Sequence, residues 1–183
     1  MPASAIAGPV STAGRTAKVR QSAGSLFRGM EMSAISIRRA READIAAIVA
    51  MLADDALGQA REDAGQPLSG AYLDAFAAID GDPNQLLAVM TDGDDVIGTL
   101  QITFIAGLSL RGTRRGLIEA VRVASSRRGE GLGQRLFEWA IDKCRERGCR
   151  VVQLTTNKSR TDAHRFYERL GFKASHIGYK LQL

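Results

Sequence analysis

The chain has 183 residues, 45% of them hydrophobic, which is about one domain's worth of protein with enough apolar mass for a sizeable core. That composition excludes wholesale disorder, and no run reaches the ~18 consecutive apolar residues of a membrane-spanning helix. The net charge is +5, but Arg15, Lys18, Arg20 and Arg28 against Glu31 place +3 of it in residues 1–33, so the remaining 150 residues hold only +2. Much of the basic excess that would otherwise suggest nucleic acid therefore sits in a tail. Cys144 and Cys149 cannot make a disulfide scaffold and lack the CxxC spacing of a zinc site; they read as reduced thiols of a cytoplasmic protein. His164 and His176 have no recognisable ligand set around them, so no metal is expected.

Residues 1–33 are rich in Ala, Ser, Thr and Gly and show neither helical nor strand period. They predict a disordered basic N-terminal extension, with an organellar leader as the alternative, followed by a single domain over 34–183. Ile35–Ile37 alternates as a short strand. Ala40 to Ala56 carries Ile45, Ile48, Val49 and Leu52 on one helical face. After a loop around Gly58–Pro67, Tyr72, Leu73, Phe76 and Ile79 predict a second helix, stopped by Gly81-Asp82-Pro83. Leu86–Met90 and Val96–Ile105 flank the turn Asp92-Gly93-Asp94-Asp95 and predict a hairpin. A Gly/Arg loop over 107–115 leads to a strand at Leu117–Val123.

A glycine-rich turn at 129–133 then opens a helix over 132–147, striped by Leu132, Leu136, Phe137, Ala140, Ile141 and Cys144. Val151–Thr156 reads as a strand and Asp162–Leu170 as a helix. Phe172–Ser175 and Ile177–Leu183 read as two closing strands. The order predicts an α/β (mixed α+β) fold, a central mixed sheet with helices on its faces.

The strand ending at Val123 runs into Arg128-Gly129-Glu130-Gly131-Leu132-Gly133 and a helix start. Glycines allow a tight bend and a close approach to a ligand. The first amides of a helix have no internal partner, and the helix dipole favours negative charge there. Together these make a phosphate or diphosphate site. Arg122, Arg127 and Arg128 lie nearby, and Arg111, Arg114 and Arg115 upstream are candidates for gripping further phosphates. A Walker loop is absent, and the glycine spacing is GxGxG where a dinucleotide fingerprint needs GxGxxG.

Arg128-x-x-Gly131-x-Gly133, with Ala163-x-x-x-Tyr167-x-x-x-Gly171-Phe172 downstream of it, resembles the two marks of the GNAT family of N-acetyltransferases. The resemblance covers about residues 35–183 and implies a central mixed, mostly antiparallel twisted sheet flanked by helices. It implies acetyl-CoA as co-substrate and a small-molecule or peptide amine as acceptor, with neither nucleic acid nor membrane as partner. Many relatives pair as homodimers, and nothing in this sequence fixes that.

The resemblance also assigns roles. Tyr167 is the acid that protonates the leaving thiolate. Glu119, where diamine acetyltransferases carry a carboxylate, is the candidate base or the anchor of a water chain, an outward-facing strand glutamate being the plainer alternative. Val121 and Val123 offer backbone groups to the pantetheine arm. The amides of Arg128, Gly129, Gly131, Leu132, Gly133 and Gln134 hold the diphosphate. An asparagine often stands seven residues before the tyrosine; here that place is Arg160, and Asn157 lies three residues earlier. Asn157 and His164 are further candidates for the cofactor cleft, and a structural hydrogen bond is an equal reading of the histidine. Asp54, Asp55, Glu62 and Asp63, between the first two helices, would draw a cationic acceptor unless they are simply a solvated helix end. A non-catalytic acyl-CoA sensor on the same fold is the rival expectation.

Overall fold

The computed structural model describes residues 35–55 and 58–183. The predicted extension over 1–33 lies outside the described residues, as does Ala56 at the end of the first predicted helix.

Five strands form one sheet in chain order: β1 (Ile35–Arg39), β2 (Gln85–Asp92), β3 (Asp95–Ile105), β4 (Arg115–Val123) and β5 (Val151–Leu154). Every pairing is antiparallel except β4 with β5, so the sheet is mixed and mostly antiparallel, as expected. The β2–β3 hairpin closes at Asp92 opposite Asp95, and Gly93 supplies the positive φ of 60° that the turn needs.

Period-2 alternation on β2 divides the core between the two faces. Leu87 and Val89 pack with Ile45, Ile48 and Val49 of helix α1 (Ile45–Ala53), with Tyr72, Phe76 and Ile79 of α2 (Gly70–Gly81) closing over them. Ala88 and Met90 face the other way, toward Leu100, Ile102 and Ile118. The Gly/Arg loop of the β3–β4 connection holds a single turn, α3 (Ser109–Gly112), and the second face of the sheet is covered by α4 (Leu132–Glu146). The α4 stripe of Leu132, Leu136, Phe137, Ala140 and Cys144 is buried as the 3.6-residue spacing predicts. Gly148, with φ 70°, ends α4 and lets the Cys149 amide donate to the Cys144 carbonyl at 2.9 Å.

The first predicted helix is shorter than its apolar pattern. Glu42–Asp44 forms a 3-10 turn, and α1 proper begins at Ile45. Asp44 is the reason. Its buried carboxylate accepts 2.7 and 2.9 Å hydrogen bonds from the Arg38 guanidinium and another at 2.7 Å from the Arg41 amide. That tie fixes where β1 stops and the helix starts, and the Arg38 guanidinium holds the Asp44 carboxyl below its usual range.

The two closing strands do not form. Residues 172–183 join no ladder, and Ile177, Tyr179, Leu181 and Leu183 are exposed. Their alternation satisfies the strand pattern, but a lone strand has no stability without a partner, and alternation does not supply one.

Candidate active site

The site is built where β4 hands over to α4. Ala124 leaves the strand, Ser125–Arg127 makes a 3-10 turn, and Gly129 and Gly131 take φ of 89° and 76°. An L side chain would be strained at either position. Nothing stands within 4 Å of where a Cβ would lie on them, so the bend is open on that side. Gly131 is the N-cap of α4 and contributes no side-chain cap. The amides of Gln134 and Arg135 turn back to the Gly131 carbonyl at 3.1 and 3.2 Å, so the earlier amides of Leu132 and Gly133 have no helical partner. They face a cavity of about 460 Å³.

Seven of the residues designated from the sequence line that cavity: Val123, Arg128, Gly129, Gly131, Leu132, Gly133 and Gln134. Arg127, Phe166, Arg169 and Leu170 join them. The last three come from α5 (Thr161–Arg169) and its end, so the cavity is walled by two helices whose meeting only the tertiary fold reveals. Phe166 lies 3.8 Å from a Cβ built on Gly133, an ordinary van der Waals contact, so α5 packs closely beside the helix start. The residues fit a diphosphate: uncapped amides, open glycines and three guanidinium groups surround one concave space.

Two of these arginines are already engaged with carboxylates. Arg127 donates to Asp92 at 2.8 Å and to both oxygens of Glu130 at 2.9 and 3.0 Å, and these carboxylates raise its pKa further. Arg128 donates to the side chain and carbonyl of Asp54 at 2.8 and 3.1 Å, tying the loop to the end of α1. Arg111 and Arg114, expected to grip further phosphates of the same ligand, do not reach this cavity. They line another one, with Arg115 behind them, because β4 carries its first residues to the opposite end of the sheet.

β4 is irregular just before the site. Thr99 pairs with Arg122 and Gln101 with Glu119, so Ala120 and Val121 together oppose Leu100. Ala120 carries a φ of 52°, rare for a residue with a Cβ. A bulge of this kind leaves backbone groups out of the ladder and re-aims the residues beyond it. No glycine marks it, so residue identity does not disclose it. Glu119 stands one residue before the bulge, exposed, and engages in no hydrogen bond or ion pair among the described residues. Val121, half-buried, is the second residue of the bulge, two residues short of Val123.

Tyr167 sits on α5 beside Phe166. Its ring packs edge-on against Phe137 at 5.5 Å, Phe166 at 5.6 Å and Phe172 at 6.3 Å. Its hydroxyl makes no hydrogen bond among the described residues. Asn157 and His164 are placed differently from the cavity lining. The Asn157 side chain accepts from the amide and hydroxyl of Ser159 at 3.0 and 2.9 Å, a local turn, and the His164 Nε2 lies 3.1 Å from the Asn157 carbonyl.

The acidic cluster is also committed locally. Asp54 holds Arg128, and Asp55 accepts from the Gly58 amide at 2.6 Å and lies 3.7 Å from Arg122. Glu62 accepts from the Tyr72 hydroxyl, and Asp63 accepts from the Gly65 amide. Among the described residues, no three His, Cys, Asp or Glu side chains converge as metal ligands, and no helix is long and apolar enough to cross a membrane.

The chain is similar to known proteins. The profile of a family described as "Acetyltransferase (GNAT) family" matches residues 49–172. The chain is 34% identical over 109 residues to an aminoalkylphosphonate N-acetyltransferase of Salmonella typhimurium, covering 60% of this chain and 70% of that one. It is 33% identical over 93 residues to streptothricin acetyltransferase of Streptomyces lavendulae, covering 51% of this chain and 46% of that one. Among solved structures, one described as a transcriptional regulator from Bacillus halodurans C-125 superposes with a TM-score of 0.80 at 48% identity, over 82% of this chain and all of that one.

Proposed function

The chain belongs to the acetyltransferase (GNAT) family, and on that premise we propose that it moves the acetyl group of acetyl-CoA to a primary amine within a ternary complex, in the cytoplasm. The observation that carries the reading is the uncapped start of α4 beneath Gly129–Gly133, opening into a cavity of about 460 Å³. There the amides of Leu132 and Gly133 bind the diphosphate, with Gln134 and Arg128 at its rim. Val121 and Val123 present backbone groups to the arm that carries the acetyl thioester. The bulge at Ala120 turns a free backbone group toward the reacting carbonyl, where a donor is worth most.

The chemistry then sets two proton tasks. An amine with a pKa of roughly 10 arrives protonated and must lose that proton, which Glu119 takes directly or through water. The amine nitrogen forms a bond to the acetyl carbon as the carbon–sulfur bond breaks. The Tyr167 phenol gives its proton to the departing sulfur, and the second proton, which the nitrogen sheds as the amide forms, returns through solvent to the tyrosinate. The products are an N-acetylated amine and the free thiol of coenzyme A. The acceptor is a small amine: two of the matched relatives are named for an aminoalkylphosphonate and for streptothricin.

A thermal-shift titration tests the binding half. A ligand of the native state at a hundredfold excess over its Kd adds about 2.7 kcal/mol, a rise of roughly 5–10 °C for a domain of this size. Acetyl-CoA should produce that rise; no shift with any coenzyme A thioester overturns the reading. Thiol release over a panel of amines tests turnover. Binding without release with any amine would favour the second reading, a sensor that holds the thioester without using it, to which the resemblance to a protein described as a transcriptional regulator lends support.

Glu119→Gln separates a base from an ordinary exposed strand residue. The acid-side limb of the kcat/KM pH profile should disappear in the variant, while acetyl-CoA binding stays as it was. An unaltered profile removes Glu119 from the proton path.

A further inference from the structure

A second cavity, of about 570 Å³, lies at the opposite end of the sheet, between the β3–β4 connection, the end of α4 and the entry to β5. The nine residues of β4 separate it from the first site by about 25 Å. Arg111, Arg114, Arg147 and Arg150 line it, and no acidic residue does. Arg115 stands just behind: its Nη1 lies 3.7 Å from a Cβ built on Gly107, and its buried Nε has no hydrogen-bond partner.

Seven arginines elsewhere differ, while Arg41, Arg61, Arg135, Arg160 and Arg169 also make no ion pair among the described residues but do not converge on a cavity with these. Arg38, Arg39, Arg122, Arg127, Arg128, Arg145 and Arg165 all face a carboxylate within ion-pair distance. None of the five around this cavity takes part in an ion pair among the described residues. Two are nevertheless held in place, by neutral groups. Arg147 donates to the Pro83 carbonyl at 2.7 Å and stacks 4.7 Å over the Phe104 ring, and Arg114 donates to the Arg147 carbonyl at 3.1 Å. The Arg150 amide in turn bonds the Arg114 carbonyl at 2.9 Å. Fixing guanidiniums through carbonyls and a ring leaves their charge uncompensated, and bringing four of them around one cavity is repulsive until an anion enters. The field is felt nearby: burial raises the Cys149 thiol, while the charges of Arg114 and Arg147 work against that rise.

We infer that this cavity is a second anion site, separate from the acetyl-donor site, for a small ligand carrying two or more linked phosphate groups. Convergence on a single concave space suits a compact polyanion better than a strand of nucleic acid, which needs charges spread along a track. The one aromatic in contact, Phe104, is buried beneath Arg147 and offers no face for base stacking.

Inorganic triphosphate is the probe, titrated by calorimetry into the full chain already saturated with acetyl-CoA, so that the Gly129–Gly133 loop is filled. Saturable, salt-sensitive binding is expected. Arg111→Gln with Arg150→Gln removes two exposed side chains that make no ion pair, so the fold should stand. It should weaken triphosphate by about a hundredfold, two charge-assisted partners being lost, with the acetyl-CoA Kd unchanged. Three outcomes overturn the assignment: no saturable heat with triphosphate, equal affinity in the double variant, or tighter binding of a 20-base-pair DNA duplex than of triphosphate through the same arginines. If acetyl-CoA itself fails to bind, the double variant still decides, because only a site at this cavity responds to it.

Discussion

Tyr167→Phe should lower the acetyl-transfer rate by about a hundredfold, within the range usual for loss of a general acid, and leave the Kd for acetyl-CoA unchanged. The tyrosine ring is held by Phe137, Phe166 and Phe172, and phenylalanine keeps all three edge-on contacts. The hydroxyl has no partner among the described residues, so removing it orphans no buried group and the melting temperature should hold. The loss is that of the proton for the leaving sulfur. A thiolate leaving group, with a pKa near ~8.5 by analogy with cysteine, needs less help than an alkoxide, which keeps the expected loss at the lower end of the range. Thiol release under saturating substrates, calorimetry with acetyl-CoA and a melt of the same preparation read the three quantities separately. A variant that turns over like the parent takes Tyr167 out of the mechanism.

The readability of this site in the sequence depends on the range of the interactions that make it. The bend proposed for the diphosphate is local: a strand, two left-handed glycines and a helix start lie within eleven residues, Val123 to Gly133, and each signal is a backbone requirement that residue identity reports. The β2–β3 hairpin is equally legible, because alternation and the Asp92–Asp95 turn fix neighbours close in the chain. Long-range facts are not. That Arg128 reaches Asp54, or that Phe166 and Arg169 wall the cavity, depends on α1 and α5 arriving from distant parts of the chain. The bulge at Ala120 is invisible because a left-handed alanine has no sequence signature, whereas a left-handed glycine does. Arg111 and Arg128 read as one basic cluster because they are close in sequence; an intervening β-strand puts them at opposite ends of the sheet. At the C-terminus, the period of Ile177, Tyr179, Leu181 and Leu183 reports a capacity to pair, and pairing needs an edge as well as a pattern.

Gly116 poses a packing question that a double-mutant cycle answers. It lies on β4 between Phe104 of β3 and Val152 of β5, under α4, and a Cβ there would stand 2.3 Å from the Cys144 Sγ and 3.4 Å from its Cβ. The φ at Gly116 is not left-handed, so the glycine is required by space alone. Gly116→Ala should therefore cost about 1–3 kcal/mol, the usual penalty for overpacking a well-filled core. Cys144→Ala, which removes a fully buried sulfur, should cost about 1 kcal/mol through the small cavity it leaves. Burial holds that thiol's pKa up at about 12, so it is a neutral group and its loss removes no charge. Combined, the two changes should be less destabilising than their sum by about 1 kcal/mol or more, since the alanine methyl then occupies the room the sulfur vacated. Urea unfolding of the four proteins measures the coupling. Strict additivity would mean that α4 shifts away from β4 rather than clashing with it, and then acetyl-CoA affinity should fall too, because the same helix carries at its other end the amides proposed to hold the diphosphate.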